Sequence, residues 1–404
     1  MSPFGSIQEQ VEVVIAESLY PERELKSHHL SLKIESLISD GRGLARLDGK
    51  VFFVSHCLPG ESVVARVISD KGSFAEAVCI EVIEGSPERC EPVCAHFGKC
   101  GGCSLQYIKP KAQLDFKIQA FLSSLQRIGK LESRAIPDQV EKIEGNSEGY
   151  RNRMRFSDAN GCWGMKAEKS NQLVALSECP VADPAIQKAI YENLHVGKKE
   201  WMVYAADGEI WFSGQKANVA VDGISFSFPV DGFFQSNRDV LSRALPIICG
   251  PLETESGRRD SGADMVIADL YGGIGLFSRF FAAGKYSQAV SCVSVDRCPA
   301  VQSAIQGVVF RQQSVEQWIR TKEASQRWAM ILVDPPRAGL SAAARDYLCK
   351  ANTNEIRYLS CNPDTFARDA GFLHGAGWNL QRLVALDFYP HTAHLEVYGV
   401  FIRE

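Results

Sequence analysis

The chain has 404 residues, 45% of them hydrophobic and 23% charged, with a formal net charge of −4 and a pI near 6.1. That length supports two or three domains with cores of their own, and the composition is ordinary for a globular protein. A globally basic nucleic-acid binder is excluded, so any nucleic-acid-facing surface has to be local.

No basic n-region and apolar core of a secretory signal open the sequence, and no apolar run approaches the roughly 20 residues of a membrane helix. The expected compartment is therefore the cytosol, with no membrane contact. The 13 cysteines are expected to be thiols, metal ligands or a nucleophile rather than a disulfide framework.

Residues 7–19 carry helical spacing (Ile7, Val11, Val14, Ile15, Leu19) that Pro21 stops. Residues 30–84 read as small all-β. Leu30, Leu32 and Ile34 alternate, Asp48-Gly49 precedes Val51-Phe52-Phe53-Val54 as a hairpin signal, Val63, Ala65 and Val67 alternate again, and Phe74 to Ile83 gives a last strand. Five short strands of this kind predict a small barrel. Residues 85–105 form a loop rich in proline and cysteine, 106–130 a helix ended by Gly129, and 140–234 a mixed, β-rich segment. A polar stretch from Glu253 to Gly262 reads as an exposed loop.

From Met265 onward, apolar strands at 265–270, 289–295, 329–333 and 356–360 alternate with helical segments. This predicts a doubly wound, Rossmann-like α/β sheet. The segments 381–388 and 394–401 leave no room for a helix between them, so they are expected to pair antiparallel as a hairpin at the sheet edge. That ending is typical of S-adenosylmethionine-dependent methyltransferases.

Three groups of residues carry chemistry. Cys94-x5-Cys100-Gly101-Gly102-Cys103 is compact, and its glycines let the backbone wrap closely around a bound object. Thiolates so close together in a reducing compartment call for a metal. A zinc ion and an iron–sulfur cube both suit three clustered cysteines plus one from elsewhere, with Cys179, Cys162 and Cys90 as candidates. Next, the strand Val266-Ile267-Ala268-Asp269 leads into Tyr271-Gly272-Gly273-Ile274-Gly275, a turn suited to close cofactor approach. Asp296, ending a second strand, can accept from ribose hydroxyls; the G-x-G-x-x-G dinucleotide pattern is not matched.

Finally, Asp334-Pro335-Pro336-Arg337 and Tyr358-Leu359-Ser360-Cys361-Asn362-Pro363 each follow an apolar strand. The prolines fix φ and remove N–H donors, leaving carbonyls and the Asp334 carboxylate aimed at a ligand; methyltransferases that act on planar nitrogenous rings grip the ring edge with similar loops. A thiolate at Cys361 is the right nucleophile for carbon 6 of uracil. Glu396 in His391-Thr392-Ala393-His394-Leu395-Glu396 is the first choice for a base. Tyr150-Arg151-Asn152-Arg153-Met154-Arg155-Phe156 interleaves arginines with aromatics, suiting phosphate contact and base stacking.

Together these motifs resemble the RNA uracil-5 methyltransferases, especially the ribosomal-RNA branch, from about residue 28 to the end. The family pattern stands here as Cys94, Cys100, Cys103 and Cys179-Pro180, then Phe233-Phe234-Gln235-Ser236-Asn237, Asp334 to Arg337, Ser360-Cys361-Asn362-Pro363, and Pro390 to Glu396. The resemblance implies an N-terminal extension (1–27), a TRAM-like β-barrel (28–88), a central iron–sulfur and RNA-binding domain (89–105 and 139–234), and a methyltransferase domain (106–138 and 235–404).

It further implies a 4Fe–4S cluster on Cys94, Cys100, Cys103 and Cys179, and S-adenosyl-L-methionine held by Gln235, Tyr271, Gly273, Gly275, Asp296 and Asp334, with Asp334 also positioning the base. Catalysis falls to Cys361 and Glu396. The implied reaction is methylation of carbon 5 of a uridine in RNA, with 23S ribosomal RNA as substrate and a transfer-RNA uridine as alternative. The target uridine is expected single-stranded or flipped, and the protein a monomer.

The chain departs from the family pattern at Gly272 (usually Cys), Leu276 (often Asn), Asp296 (usually Glu) and Ser314 (near a position often Asp), and in a short segment from Asp296 to Phe310. Two other readings remain: a cytosine-5 methyltransferase, and a non-catalytic RNA-binding module with a structural cluster.

Overall fold

The computed structural model describes residues 29–194, 196–253, 265–298 and 305–403. The helix expected at 7–19 and nearly all of the 253–262 loop lie outside them.

Six strands open the described chain: β1 (His29–Lys33), β2 (Ser36–Leu37), β3 (Gly43–Leu47), β4 (Lys50–Ser55), β5 (Ser62–Asp70) and β6 (Phe74–Glu84), in the order β1-β5-β6-β4-β3-β2. Only Ile34 and Glu35 separate β1 from β2, so one bent strand pairs with β5 at one end of the strip and β3 at the other, closing it. Leu32, Ala45, Phe52, Val54, Val63 and Ala65 fill its interior. The β3–β4 loop is Asp48-Gly49, both with positive φ (51° and 79°), the twist a two-residue hairpin requires. The expected count of five strands missed the two-residue β2, which is too short to show alternation.

Helix α1 (Pro110–Arg127) begins with proline in its first turn and buries Leu114, Ile118, Phe121 and Leu125. Strand β7 (Glu141–Ile143) follows. The central sheet, in the order β10-β9-β8-β11-β12, consists of β8 (Arg153–Ala159), β9 (Cys162–Lys166), β10 (Leu173–Ala175), β11 (Glu200–Ala206) and β12 (Glu209–Phe212). Helix α2 (Pro184–Tyr191), capped by Asp183, packs on it. Strands β13 (Lys216–Val221) and β14 (Ile224–Pro229) form a separate hairpin, followed by α3 (Arg238–Ile248), capped by Asn237.

The remaining strands are β15 (Val266–Leu270), β16 (Ser291–Asp296), β17 (Val308–Gln312), β18 (Met330–Val333), β19 (Glu355–Ser360), β20 (Asn379–Leu386) and β21 (Glu396–Ile402). Between them lie α4 (Leu276–Ala283), α5 (Val315–Trp318), α6 (Ala342–Cys349) and α7 (Pro363–Gly375). The eight-stranded sheet runs β17-β16-β15-β18-β19-β21-β20-β7, parallel from β17 to β19, with β21 antiparallel to β19 and to β20.

Alternate residues feed opposite cores, as a sheet covered on both faces demands. Ile267, Met330, Leu332, Leu359 and Val400 pack with α3, α4 and the β13–β14 hairpin. Ala268, Ile331, Val333, Tyr358 and Phe401 pack with α1, α6 and α7. Where α1 ends, Gly129 lies against Gly371 of α7, and a Cβ on either would collide with the other segment's carbonyl oxygen. The helix therefore stops where backbone meets backbone.

Two expectations need correction. The terminal hairpin does pair antiparallel, but it is not the edge: β7 adds outside β20 in parallel, held by the Arg382–Glu141 ion pair. Residues 141–143 thus join this sheet, although the reading by resemblance grouped 139–234 as a central unit. A three-residue strand with two exposed side chains has no readable period. Strand β17 was likewise missed, its burial being irregular.

Candidate active site

The carboxyl edge of the parallel strands is where open α/β sheets bind ligands. Register places the chemistry along it. Leu270 pairs with both Val295 and Val333, so Tyr271, Asp296 and Asp334 lie in a row one step past those pairs. Their backbones stay tied: Tyr271 N donates to Val295 O (2.9 Å) and Asp334 N to Leu270 O (3.2 Å). Because β21 is antiparallel, its first residue reaches the same edge. Ser360 pairs with Val397, so Cys361 and Glu396 face each other at the next step.

These residues open onto a cleft of about 1680 Å³, lined also by Gln235, Gly273, Arg337, Tyr389 and His394. Gly275 is not on the wall. It starts α4 with φ 76°, and a Cβ there would strike the Phe310 ring. Gly273 N donates to Asp296 Oδ2 (3.1 Å) and Cys298 N to Asp296 Oδ1 (2.7 Å), so the Asp296 carboxylate braces the glycine turn from the side. Gln235, on the cleft wall, is buried and leaves its Oε1 without a hydrogen-bond partner.

Asp296, Asp334 and Glu396 line this part of the cleft, Asp269 is buried behind it, and Arg337 is the cation that bears on Glu396 and Cys361. Burial raises Glu396 to about 7, against the pull of Arg337. Burial, then Glu396, Asp269 and Asp296, lift Asp334 far above the carboxylate range. Asp269 rises to about 6 through burial, although the Ser278 hydroxyl donates to it at 2.5 Å. Burial, Glu396 and Asp334 push the Cys361 thiol to about 11, and Arg337 alone among nearby charged groups favours the thiolate. The Arg337 carbonyl accepts from Asn362 Nδ2 (3.0 Å), while Asn362 Oδ1 caps α7, so the proline loop and the cysteine share one anchor. His394, lowered to about 4 by burial and then by Arg337, is neutral at pH 7.

Ser314, set where the family often has an acid, starts α5 in a capping box with Gln317 and lines the cleft. The carboxylate on that wall belongs instead to Glu316, which accepts from Ser341 Oγ (3.0 Å). No motif had marked it. At Gly272, a Cβ would overlap the Ser294 hydroxyl and come within 2.8 Å of Asp269 Oδ2. Ser294 thus fills the space a side chain at 272 would need. Gly272→Cys is expected to cost about 1–3 kcal/mol in thermal denaturation, and much of the loss should return in the Gly272→Cys/Ser294→Ala double variant.

Cys94, Cys100, Cys103 and Cys179 line one pocket with Gln106, Arg151, Met154 and Met165. Cys90 and Cys162 are not on its wall. Burial raises Cys103 to about 11 and Cys179 to about 12. Among the described residues, no group of three or more His, Cys, Asp or Glu side chains is gathered closely enough to hold a single metal ion.

The arginine–aromatic strand behaves differently from its reading. Tyr150 and Phe156 are buried (7% and 0% exposed) and cannot stack on a base. Tyr150 Oη donates to Pro390 O (2.9 Å), Arg151 Nη1 to Gly102 O (3.3 Å) and Arg153 Nη2 to Gly232 O (2.7 Å), leaving Arg155 exposed. Strand alternation turned the aromatics inward. The exposed aromatic at the cleft is Phe233, 62% exposed, with Arg153 over its ring.

A glycine-rich first turn, acids along the carboxyl edge and a terminal antiparallel pair define a Rossmann-like methyltransferase domain, here joined to a small β-barrel. Residues 301–404 match the model of the tRNA (Uracil-5-)-methyltransferase family, and residues 29–80 match the TRAM domain. The chain thus carries a uracil-5 methyltransferase-family domain and a TRAM domain.

An uncharacterized RNA methyltransferase of Treponema denticola is 29% identical, over 92% of this chain and 98% of its own length. The 23S rRNA (uracil(1939)-C(5))-methyltransferase RlmD of Vibrio cholerae is 29% identical, over 94% and 97%. The Pyrococcus abyssi tRNA (uracil-54, C5)-methyltransferase, solved with S-adenosyl-L-homocysteine, shares the fold with a TM-score of 0.66 at 22% identity, over 92% of this chain and all of that one. No described helix is long and apolar enough to cross a membrane.

Proposed function

We propose that this chain methylates carbon 5 of a uridine in RNA, using S-adenosylmethionine, and that ribosomal RNA is its substrate. The observation that carries the reading is the placement of Cys361 opposite Glu396, one step past paired strands, on the floor of a cleft whose other end is a glycine-turn cofactor wall. S-adenosylmethionine, when bound, supplies the methyl group as an electrophile.

The unpartnered Gln235 Oε1 and the Asp296 carboxylate beside the Gly273 turn suit its amino and hydroxyl donors. Tyr271, Gly273 and Asp334 complete that wall, with Gly275 shaping the turn from behind. The Cys361 thiol loses its proton to solvent, and the thiolate Sγ bonds to carbon 6 of uracil, which makes carbon 5 nucleophilic. After carbon 5 is methylated, Glu396 removes its proton, the double bond re-forms and the carbon–sulfur bond breaks. Glu396, raised to about 7, is poised for that proton.

Four thiols around one pocket suit a 4Fe–4S cluster on Cys94, Cys100, Cys103 and Cys179. Ribosomal RNA as substrate is supported by relatives such as the Vibrio cholerae enzyme, aligned over nearly its full length, and the cytosol, with its RNA, is the matching compartment. Purified protein with labelled S-adenosylmethionine is expected to methylate unmodified 23S transcripts at one or few uridines, read by mass spectrometry of digests. Label on transfer RNA alone would overturn the ribosomal assignment.

A further inference from the structure

Glu396 ends a loop that begins at an unfavourable residue. His391 has φ 64°, a left-handed conformation that costs a non-glycine residue and persists only when its surroundings over-determine it. The surroundings do so on every side. His391 N donates to Gln113 Oε1 (2.7 Å) and its Nδ1 lies 3.0 Å from Gln113 Nε2, both from α1. Its carbonyl accepts from Ser104 N (2.8 Å) and Leu105 N (2.9 Å). Two residues on, Ala393 N donates to Ser104 Oγ (3.1 Å). Ser104 directly follows Cys103 of the cysteine pocket. Gly41, in the turn between β2 and β3 of the barrel, seals the outside, so close that a Cβ on it would lie 2.9 Å from the Ala393 side chain.

We propose that Ser104 is a positioning residue for the general base: it grips both ends of residues 391–393 and thereby fixes where β21 begins and where the Glu396 carboxylate stands. The cysteine pocket is thereby joined to the base through hydrogen bonds of this chain. Glu396 acts on a single step, the removal of the carbon 5 proton that lets Cys361 depart. A base held out of place should therefore leave attack and methylation intact and stall release. This inference rests on the roles of Cys361 and Glu396 proposed above.

The test is Ser104→Ala in the full-length, cluster-loaded protein, with ordinary uridine-containing RNA. The expected result is a roughly 10-fold fall in kcat, the size one lost hydrogen bond produces. KM for RNA and for S-adenosylmethionine should stay within about 2-fold, visible-region cluster absorbance should be unchanged, and a methylated RNA–protein adduct should accumulate on denaturing gels. Ser104→Thr, which keeps the hydroxyl, should restore turnover and clear the adduct. If Ser104→Ala does not fold, Ser104→Cys, with its weaker acceptor, reads the same split.

An unchanged kcat, or a fall without adduct, overturns the proposal, as does failure of Ser104→Thr to rescue. Glu396→Gln run alongside separates the two levels of inference. An adduct with Glu396→Gln but none with Ser104→Ala refutes only the positioning role, whereas none with either refutes the base assignment itself.

Discussion

Cys361→Ala is expected to lower methyl transfer to RNA below detection, by at least about 10⁴-fold, because no other group can form the bond to carbon 6. Of the other twelve cysteines only Cys298 lines the cleft, on its glycine-turn side; Cys57 and Cys79, for example, are in the barrel and Cys249 and Cys292 in the core. The variant should fold normally, since a small half-buried side chain is being shortened by one atom. It should also still bind S-adenosylmethionine, because Gln235, Gly273 and Asp296 are untouched. The decisive measurement uses transcripts containing 5-fluorouridine. Fluorine in place of the carbon 5 proton blocks elimination, so wild-type protein should become covalently trapped while the alanine variant is not. Trapping of the variant would show that the nucleophile lies elsewhere.

Glu396→Gln should lower kcat by about 10³-fold, within the range a positioned general base supplies, with little change in the first, covalent step. Wild-type activity should climb as pH passes about 7, where the Glu396 carboxyl loses its proton, and the glutamine variant should lack that limb. Stability should move the other way. The folded pKa of Glu396 lies above its ordinary value of 4.5, so the folded state favours the protonated carboxyl. Its contribution is intact below about pH 4.5 and is lost as pH rises through about 7. Above that, the buried carboxylate opposes folding by about 3 kcal/mol. Glu396→Gln is therefore expected to melt higher than wild type at pH 8 and nearly level with it at pH 4. A lower melting temperature at pH 8 would mean that the carboxylate is stabilised by partners other than Arg337.

The sheet was readable because burial on both faces writes continuous apolar runs, such as Met330-Ile331-Leu332-Val333, that stop at acids or thiols. The pairing of Cys361 with Glu396 was not readable from spacing. It depends on β21 entering antiparallel beside β19, so that residues 35 apart meet by register. Barrel strands with clean alternation and the Asp48-Gly49 turn stood out, whereas β2, β7 and β17 were too short or too irregular. The arginine–aromatic segment shows the limit of composition: the same residues suit RNA contact or a core strand, and β8 uses Phe156 for the core. Nothing in the local sequence marked Ser104 or Gln113 as partners of His391, because that contact joins segments more than 270 residues apart.

The place of β7 and α1 has a consequence for how the protein is made. Both lie within the first 143 residues, yet β7 completes a sheet whose neighbouring strand ends at Leu386, and α1 lies along α7. During synthesis the barrel can close early, since all its strands are local. Helix α1 and β7, which lie between Cys103 and Cys179 in the sequence, can dock only after α7 and β20 have left the ribosome. Such distant pairing slows folding. Emergence of α7 and β20, rather than of the cysteines, is thus expected to set the moment at which this enzyme matures.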